Sequence, residues 1–283
     1  MATRKTTVTE TKMISIVIPT YNRPGLTVTS ATFIRKLHPT AEIIIVDQLS
    51  SDPISETDQK KLNITYINLT TAHTAKAKNA GLKKTTGEIV FFFDDDLELT
   101  KDTISAHLKE YEDEQIIGTA GRVINDGEKI PLNTNVDTGR TNNAATKFSM
   151  NFWSTKKQIV DFPYGCNMSF RKKILSKIGG FDESFKIFEE IDIAARARKY
   201  GDIMFVPEAL AYHHKAASGG YRDPDLMKAR IKMRYYYYGK YIAKHVPFPL
   251  YIITLLLRSR SAFMEEPHSV IKLWQGFFSK IIQ

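Results

Sequence analysis

Cysteine is almost absent from this chain of 283 residues, which excludes folds that depend on disulfides. The single cysteine, Cys166, has no partner for an internal disulfide, and a structural zinc site built from paired cysteines is excluded for the same reason. Such cysteine usage is typical of proteins in reducing compartments. We therefore expect a cytoplasmic location.

Long apolar runs are also missing. The longest run covers residues 246–257 and contains two prolines. It is too short to cross a bilayer, because a spanning helix needs about 20 apolar residues. Residues 1–12 are polar and rich in threonine, without the apolar segment of a signal peptide. We expect them to form a disordered N-terminal tail.

Negative charge is scarce towards the C-terminus. Residues 215–283 contain 12 Lys and Arg but only 4 Asp and Glu, and so carry +8 of the net charge of +9. Basic residues interleaved with aromatic ones suit the headgroup region of an anionic membrane. They also suit a helical subdomain that packs on the core and leaves its lysines in water. We expect a helical extension over 219–283 in one or both of these roles, with peripheral association at the inner face of the cell membrane.

Apolar runs alternate with helix-forming segments in the first hundred residues. Residues 14–18, 42–47, 64–69 and 88–93 predict strands, and residues 26–37 and 74–84 predict helices. Alternation at this spacing indicates βαβ units, an α/β class and a mostly parallel sheet with flanking helices. The second half is less regular. It predicts a loop or hairpin over 118–160, helices over 171–178 and 188–200, and a return strand over 203–206.

Polar residues stand where the predicted strands end. Thr20, Asp47 and Asp94 occupy such positions. Each of them alone is more typical of a loop start or a helix cap. Because ligands bind beyond the carboxyl ends of strands in open α/β sheets, the set predicts that these side chains line one crevice.

Three consecutive carboxylates, Asp94, Asp95 and Asp96, follow the fourth predicted strand directly. Adjacent carboxylates repel one another unless a cation lies among them. Oxygen ligands suit hard divalent cations, so the sequence predicts a site for Mn²⁺ or Mg²⁺. Such a cation would neutralise a diphosphate leaving group.

Seven short motifs occur in order between residues 13 and 214. In this order they resemble the motifs of family 2 glycosyltransferases, which have the GT-A fold, a Rossmann-like, mostly parallel sheet. They are VIPTYNR (17–23), IIVDQLSSD (44–52), AKNAG (77–81), FDDD (93–96), YGCNMSFR (164–171) with GGFDE (179–183), FEEIDIAAR (188–196) and VPEALAYH (206–213).

The resemblance implies a GT-A domain over residues 13–218. Its nucleotide-sugar half would cover 13–100 and its acceptor half 101–218. The implied activity is inverting transfer of a sugar from a nucleoside diphosphate, UDP or dTDP, to a hydroxyl of a glycan or a lipid-linked acceptor. This reaction belongs to polysaccharide or glycoconjugate synthesis. A rhamnosyltransferase-like subgroup stays open, as do the donor sugar, the linkage and the oligomeric state.

The resemblance also implies catalytic and metal-binding residues. Glu190 is the expected base, with Glu189 as second choice. Adjacent carboxylates at a helix start can raise one pKa, although acidic residues there also favour the helix dipole. Asp96 is the expected leading metal ligand, and Asp94 would contact the metal, its bound water or the ribose of the donor. His213 would complete the shell of the metal or of the diphosphate. The neighbouring His214 leaves the choice of histidine open.

Donor and acceptor contacts follow from the same resemblance. Asp47 would accept a hydrogen bond from the imide of uracil or thymine, and Asp95 would orient the donor sugar. The remaining expected donor contacts are Pro19, Thr20 and Tyr21 at the nucleoside, with Arg23 or Lys78 at the diphosphate. Trp153 and Asn167 are expected on the acceptor side, with a core role equally expected for Trp153.

Other function classes explain fewer of these residues. A dinucleotide-dependent dehydrogenase lacks support, because no GxGxxG follows the first strand. A nucleic-acid-binding protein could use the basic aromatic tail. It would leave the acidic residues unexplained, so we expect no nucleic-acid partner. A non-catalytic protein that binds sugar nucleotides or acts as a scaffold, with a membrane- or nucleic-acid-binding tail, is the remaining alternative.

Overall fold

The structure is a computed structural model that describes residues 13–141 and 148–215, together with Tyr237, Lys240, Pro247 and Pro249. The predicted N-terminal tail at 1–12 and nearly all of the predicted extension at 219–283 lie outside the described residues. Among the described residues, no helix has the length and apolar character that crossing a membrane requires.

Nine strands of the described chain form one mixed sheet. Their order across the sheet is β3-β2-β1-β4-β8-β6-β9-β5, and β7 pairs with β9. The strands are β1 (Ile14–Thr20), β2 (Glu42–Gln48), β3 (Ile64–Leu69), β4 (Ile89–Phe93), β5 (Leu97–Leu99), β6 (Ile116–Asn125), β7 (Gln158–Val160), β8 (Asn167–Arg171) and β9 (Asp202–His213).

Six α-helices accompany this sheet in the described residues, followed by a short 3-10 turn at Arg198–Tyr200. The first has a proline at its first position, which suits a residue without a backbone N–H. The helices are α1 (Pro24–Leu37), α2 (Glu56–Leu62), α3 (Thr74–Leu82), α4 (Thr103–Glu110), α5 (Lys172–Lys177) and α6 (Glu189–Ala197).

The first half of the sheet is parallel. β1 pairs with β2 and β4, and β2 pairs with β3. Every residue of β1 and β4 is buried, which is why these strands read as continuous apolar runs. The strands and the two helices predicted for this half are confirmed to within two residues at each end.

Helix α3 lies very close to the sheet because it contains Gly81. A Cβ at this position would be 2.4 Å from Cγ1 of Val17 in β1 and 3.2 Å from Cγ2 of Val46 in β2. Only glycine permits this approach. Lys78 lies one turn earlier on the same helix, so this close packing also sets its distance from the sheet.

The second half of the sheet is mixed. β8 is antiparallel to β4 and β6, whereas β6 and β9 are parallel with a register shift after Gly121. The loop or hairpin predicted over 118–160 is wrong at its start, because β6 extends through Asn125. The predicted return strand is real but longer, since β9 covers twelve residues.

Two described positions of the predicted C-terminal extension contact the core. The ring of Tyr237 lies 6.0 Å from that of Phe148. Lys240 Nζ lies 2.7 Å from carboxylate oxygens of both Asp182 and Asp192. At these two positions the extension packs on the core, which was one of its two predicted roles.

Candidate active site

The carboxyl ends of β1, β2 and β4 meet at one edge of the sheet. Thr20 ends β1 opposite Asp47 of β2, and its hydroxyl donates a 2.6 Å hydrogen bond to Asp95, which follows β4. The Thr20 hydroxyl also accepts a 2.9 Å hydrogen bond from Thr27 in α1. The polar strand ends predicted from the sequence therefore lie together at one edge of the sheet, and the crevice itself stays a prediction.

Asp94, Asp96 and His213 form a cluster at this edge. One ligand atom of each lies within 4.8 Å of the others, and His213 Nε2 is 3.1 Å from Asp96 Oδ1. Burial raises the pKa of Asp94, an effect that Lys78 and His213 oppose and Asp96 reinforces. A divalent cation would relieve this crowding of carboxylates. Two carboxylates and an imidazole fit Mn²⁺ or Mg²⁺, so these residues could hold the predicted metal.

The neighbouring His214 is directed away from this cluster. Its Nδ1 is 3.1 Å from Asp126 and its Nε2 is 3.0 Å from Glu98, two side chains that are largely exposed. Both ring nitrogens are therefore occupied at the surface. Of the two histidines that the sequence left open, His213 is the one beside the aspartates.

The middle aspartate of the triplet has different partners. Asp95 accepts hydrogen bonds from Thr20 at 2.6 Å and from Arg23 Nη1 at 2.9 Å, and the same Arg23 nitrogen lies 2.9 Å from Asp96. Burial raises the pKa of Asp95 to about 6, against the opposing effects of Thr20 and Arg23. Arg23 thus holds the loop after β1 against the acidic cluster. The donor contacts of Asp95 and Arg23 stay predictions.

The expected nucleoside pocket contains a carboxylate held by two hydroxyls. Asp47 is buried and accepts hydrogen bonds from the hydroxyls of Tyr66 and Ser50. Pro19 is buried within β1, and Tyr21 is half-buried just beyond it. Tyr66 was not predicted from the sequence, because its place beside Asp47 follows from the pairing of β2 with β3.

Two glutamates begin α6 on the acceptor side. Phe188 precedes them with a φ of 62°, in the left-handed region. Glu189 and Glu190 are both buried in the first turn. Burial raises the pKa of Glu190 to about 8, with a further increase from Glu189 and an opposing effect of Lys78. A carboxylate that titrates near neutral pH is suited to act as a general base.

Lys78 connects the glutamates with the aspartate cluster. Its side chain is 2% exposed, and its Nζ lies 2.7 Å from Glu189 Oε1 and 3.0 Å from the carbonyl of Gly165. Burial alone would lower the pKa of Lys78, but Glu189 and Asp94 raise it above its usual value. Lys78 therefore lies between the two acidic groups, in direct contact with Glu189 and close enough to Asp94 for its charge to act. The diphosphate contact predicted for Lys78 stays a prediction, since its present partner is Glu189.

The two predicted acceptor contacts are both buried. Trp153 is 9% exposed, and its carbonyl accepts a 3.0 Å hydrogen bond from Arg122, in keeping with a core role. Asn167 is fully buried, with Oδ1 2.9 Å from His107 Nε2 and Nδ2 donating to the carbonyls of Arg122 and Ala209. The acceptor contact predicted for Asn167 disagrees with this burial, because its polar atoms join β6, β8 and β9.

Two residues near the cluster received no role from the sequence. Tyr164 stacks on Phe152 at 5.0 Å, and its hydroxyl donates a 3.3 Å hydrogen bond to Asn125. Burial raises the pKa of Tyr164, and the charges of Asp94 and Glu190 add to this effect. The sequence feature that could have identified Tyr164 is its position as the first residue of the YGCN motif. Asn125 gave no local signal, because its position depends on the pairing of β6 with β9.

Residues 15–179 match the family model described as glycosyl transferase family 2. This chain belongs to that family. An uncharacterized glycosyltransferase of Rickettsia conorii is 33% identical over 108 residues, which are 37% of this chain and 18% of the relative. The chain thus spans less than a fifth of that curated relative. The uncharacterized glycosyltransferase YwdF of Bacillus subtilis is 29% identical over 75% of this chain and 78% of its own length.

Solved glycosyltransferases share the fold. S. aureus TarS 1-349 in complex with UDP-GlcNAc has a TM-score of 0.56 and 19% identity, over 78% of this chain and 65% of that TarS chain. A mannosyltransferase of Pyrobaculum calidifontis in complex with GDP-Man and Mn²⁺ has a TM-score of 0.58 and 16% identity, over 96% of this chain and 75% of its own. The GT-A fold expected from the sequence is confirmed.

Proposed function

We propose that this family 2 member is a metal-dependent inverting glycosyltransferase. It would move a sugar from a nucleoside diphosphate to a hydroxyl of a glycan or lipid-linked acceptor, in polysaccharide or glycoconjugate synthesis. The observation that carries the proposal is that Lys78 lies between a cluster fit for a divalent cation and a buried glutamate pair, binding Glu189 directly and feeling the charge of Asp94. The bound ligands of TarS and of the mannosyltransferase support a nucleotide-sugar donor, and the Mn²⁺ of the mannosyltransferase supports a divalent cation.

Asp94, Asp96 and His213 would hold the cation. When bound, it supplies positive charge that offsets the negative charge developing on the leaving diphosphate. Arg23 lies within reach of the same place, since its guanidinium already contacts Asp95 and Asp96.

Glu190 would act as the base. It would take the proton of the acceptor hydroxyl as that oxygen attacks the anomeric carbon from the face opposite the diphosphate. The bond from the anomeric carbon to the diphosphate oxygen breaks, and the configuration inverts. Glu189 is the less suitable base, because its carboxylate is bound to Lys78 at 2.7 Å.

Asp47 would identify the nucleobase. Uracil and thymine carry an imide N–H that a carboxylate can accept, so UDP or dTDP sugars are the proposed donors. Tyr66 and Ser50 would keep this carboxylate turned towards the base.

We propose peripheral membrane association only through the basic residues beyond 219.

A thermal-shift screen with nucleoside diphosphates and their sugars, with Mn²⁺ or with EDTA, tests the proposal. We expect UDP or dTDP compounds with Mn²⁺ to raise the melting temperature, because a ligand at 100 times its dissociation constant stabilises by about 2.7 kcal/mol. Asp96→Asn should abolish the Mn²⁺-dependent part of the shift and sugar transfer. Glu98→Gln is the matched control, since Glu98 is exposed and faces His214.

The result that opposes the proposal is equally clear. A wild-type chain whose melting temperature responds to no nucleotide, with or without Mn²⁺, would favour the scaffold alternative. Metal-dependent transfer retained by Asp96→Asn would remove Asp96 from the metal site.

A further inference from the structure

We infer that Asn125 is a positioning residue for the metal site, which fixes the tautomer of His213 so that Nε2 faces Asp96 and a bound divalent cation. This inference rests on the proposed function. It concerns a side chain that touches neither the cation nor the donor, and it follows from hydrogen bonds at the end of β6.

The backbone first places the two residues side by side. Asn125 ends β6 in register with His213, which ends β9. The N–H of Asp126 donates a 3.1 Å hydrogen bond to the carbonyl of His213, which holds the strand ends together. In this arrangement Asn125 Oδ1 lies 3.1 Å from His213 Nδ1.

The orientation of the Asn125 amide is set by its other neighbours. Its Nδ2 donates a 2.7 Å hydrogen bond to Glu128 Oε2, and an ionised carboxylate can only accept. The same Glu128 oxygen accepts the backbone N–H of Asn125 at 3.1 Å. The amide oxygen must therefore face the other way, where the Tyr164 hydroxyl also donates to it at 3.3 Å.

An amide oxygen can only accept, so the hydrogen must be on Nδ1 of His213. The lone pair of Nε2 then points at Asp96 Oδ1, 3.1 Å away. Two lone pairs repel at this distance unless a proton or a metal cation lies between them. Histidines that bind metals are commonly held in this way by an acceptor on the other ring nitrogen. The hydrogen bonds thus run from Glu128 through Asn125 to His213, whose Nε2 would face a bound cation.

Manganese binding without donor tests the inference. Free Mn²⁺ is measured by electron paramagnetic resonance during titration of the full chain. Asn125→Leu should weaken binding by about 10- to 100-fold, as is usual when the acceptor behind a metal-binding histidine is lost. The double variant Asn125→Asp with Glu128→Gln exchanges the carboxylate and the amide at equal charge. It keeps an acceptor behind Nδ1 of His213, which is the feature that the inference requires, and should restore binding to within about threefold. Asp126→Asn, on the same turn, is the control expected to bind like wild type.

Nitrogen-15 NMR of histidine-labelled chain with Mg²⁺ gives a readout that a merely structural role would not change. Wild type and the double variant should show His213 protonated on Nδ1, and Asn125→Leu should lose this preference. Equal Mn²⁺ affinity of folded Asn125→Leu and wild type overturns the inference and leaves the proposed function intact. So does failure of a folded double variant to restore binding. A wild-type chain that binds no Mn²⁺ overturns both.

Discussion

The surroundings of Glu190 suit proton transfer, but they disfavour its charged form in the folded state. The carboxylate is buried beside Glu189, and its pKa of about 8 means that it carries a proton in much of the folded population at neutral pH. In an unfolded chain a glutamate titrates near 4.3. The folded state therefore binds this proton more tightly. The stability that this proton provides is complete below the unfolded pKa and is lost as the pH rises through about 8.

Glu190→Gln should consequently separate activity from stability. We expect transfer to fall by at least about 100-fold, the lower end of general-base contributions. The melting temperature should rise relative to wild type, by an amount that grows between pH 7 and pH 9 and reaches at least about 2 °C. Differential scanning calorimetry across this pH range measures it. Glu112→Gln, at an exposed position, should change neither quantity. A variant that keeps wild-type transfer would show that Glu190 is not the base.

Site residues that belong to short local motifs could be predicted from the sequence alone. The aspartate triplet and the glutamate pair are consecutive residues, so their motifs bring them to attention without knowledge of the fold. The partners of these residues were not predictable. Glu189 lies 111 positions from Lys78, and the ion pair depends on how α6 and α3 pack. The burial of Asn167 was missed for the same reason, since its partners come from distant segments.

At the scale of elements, the parallel strands carry the clearest signal. β1, β2 and β4 are buried on both faces, and an apolar run bounded by polar residues marks each of them. The short strands β5 and β7 have three residues each, too few to show a period. β6 contains glycine and threonine, residues that also suggest a loop. Its strand character comes from pairing with both β8 and β9.

Two glycines should differ sharply in their tolerance of a methyl group. A Cβ at Gly121 in β6 would lie 2.2 Å from Asn167 Nδ2 and 2.6 Å from the carbonyl of Ala209, so strands must shift. We expect Gly121→Ala to lower the unfolding free energy by about 1–3 kcal/mol through overpacking. Gly25→Ala in α1 meets nothing within 4 Å and should be neutral or raise stability by up to about 1 kcal/mol. Urea unfolding compares the two, and equal values would disprove the close packing of β6, β8 and β9.

On the scale of the whole molecule, the candidate site combines groups from distant parts of the chain. The cluster proposed to hold the metal combines residues that follow β4 with one that ends β9, and the proposed base stands at the start of α6. Lys78 of α3 binds Glu189 beside this base. The proposed activity would therefore require correct packing of both halves of the sheet.

Charge is distributed unevenly over the whole chain, and this predicts where a membrane would bind. Almost all of the excess positive charge lies beyond residue 214. Each basic residue near an anionic surface contributes about 1 kcal/mol, so removing four of them should weaken binding by at least about tenfold. The full chain is the right material, because Tyr237 and Lys240 contact the core and a truncation would disturb it.

We therefore expect a variant with Arg258, Arg260, Lys272 and Lys280 replaced by glutamine to co-sediment less with vesicles containing phosphatidylserine. A control of equal net charge replaces Lys60, Lys61, Lys83 and Lys84, which are exposed on the core. It should bind like wild type, because these lysines belong to the nearly neutral part of the chain. Vesicles of phosphatidylcholine alone should bind all three proteins weakly, since their surface carries no net charge. If both charge variants lose the same amount of binding, the attraction belongs to the net charge of the molecule, and the C-terminal segment has no special part in it.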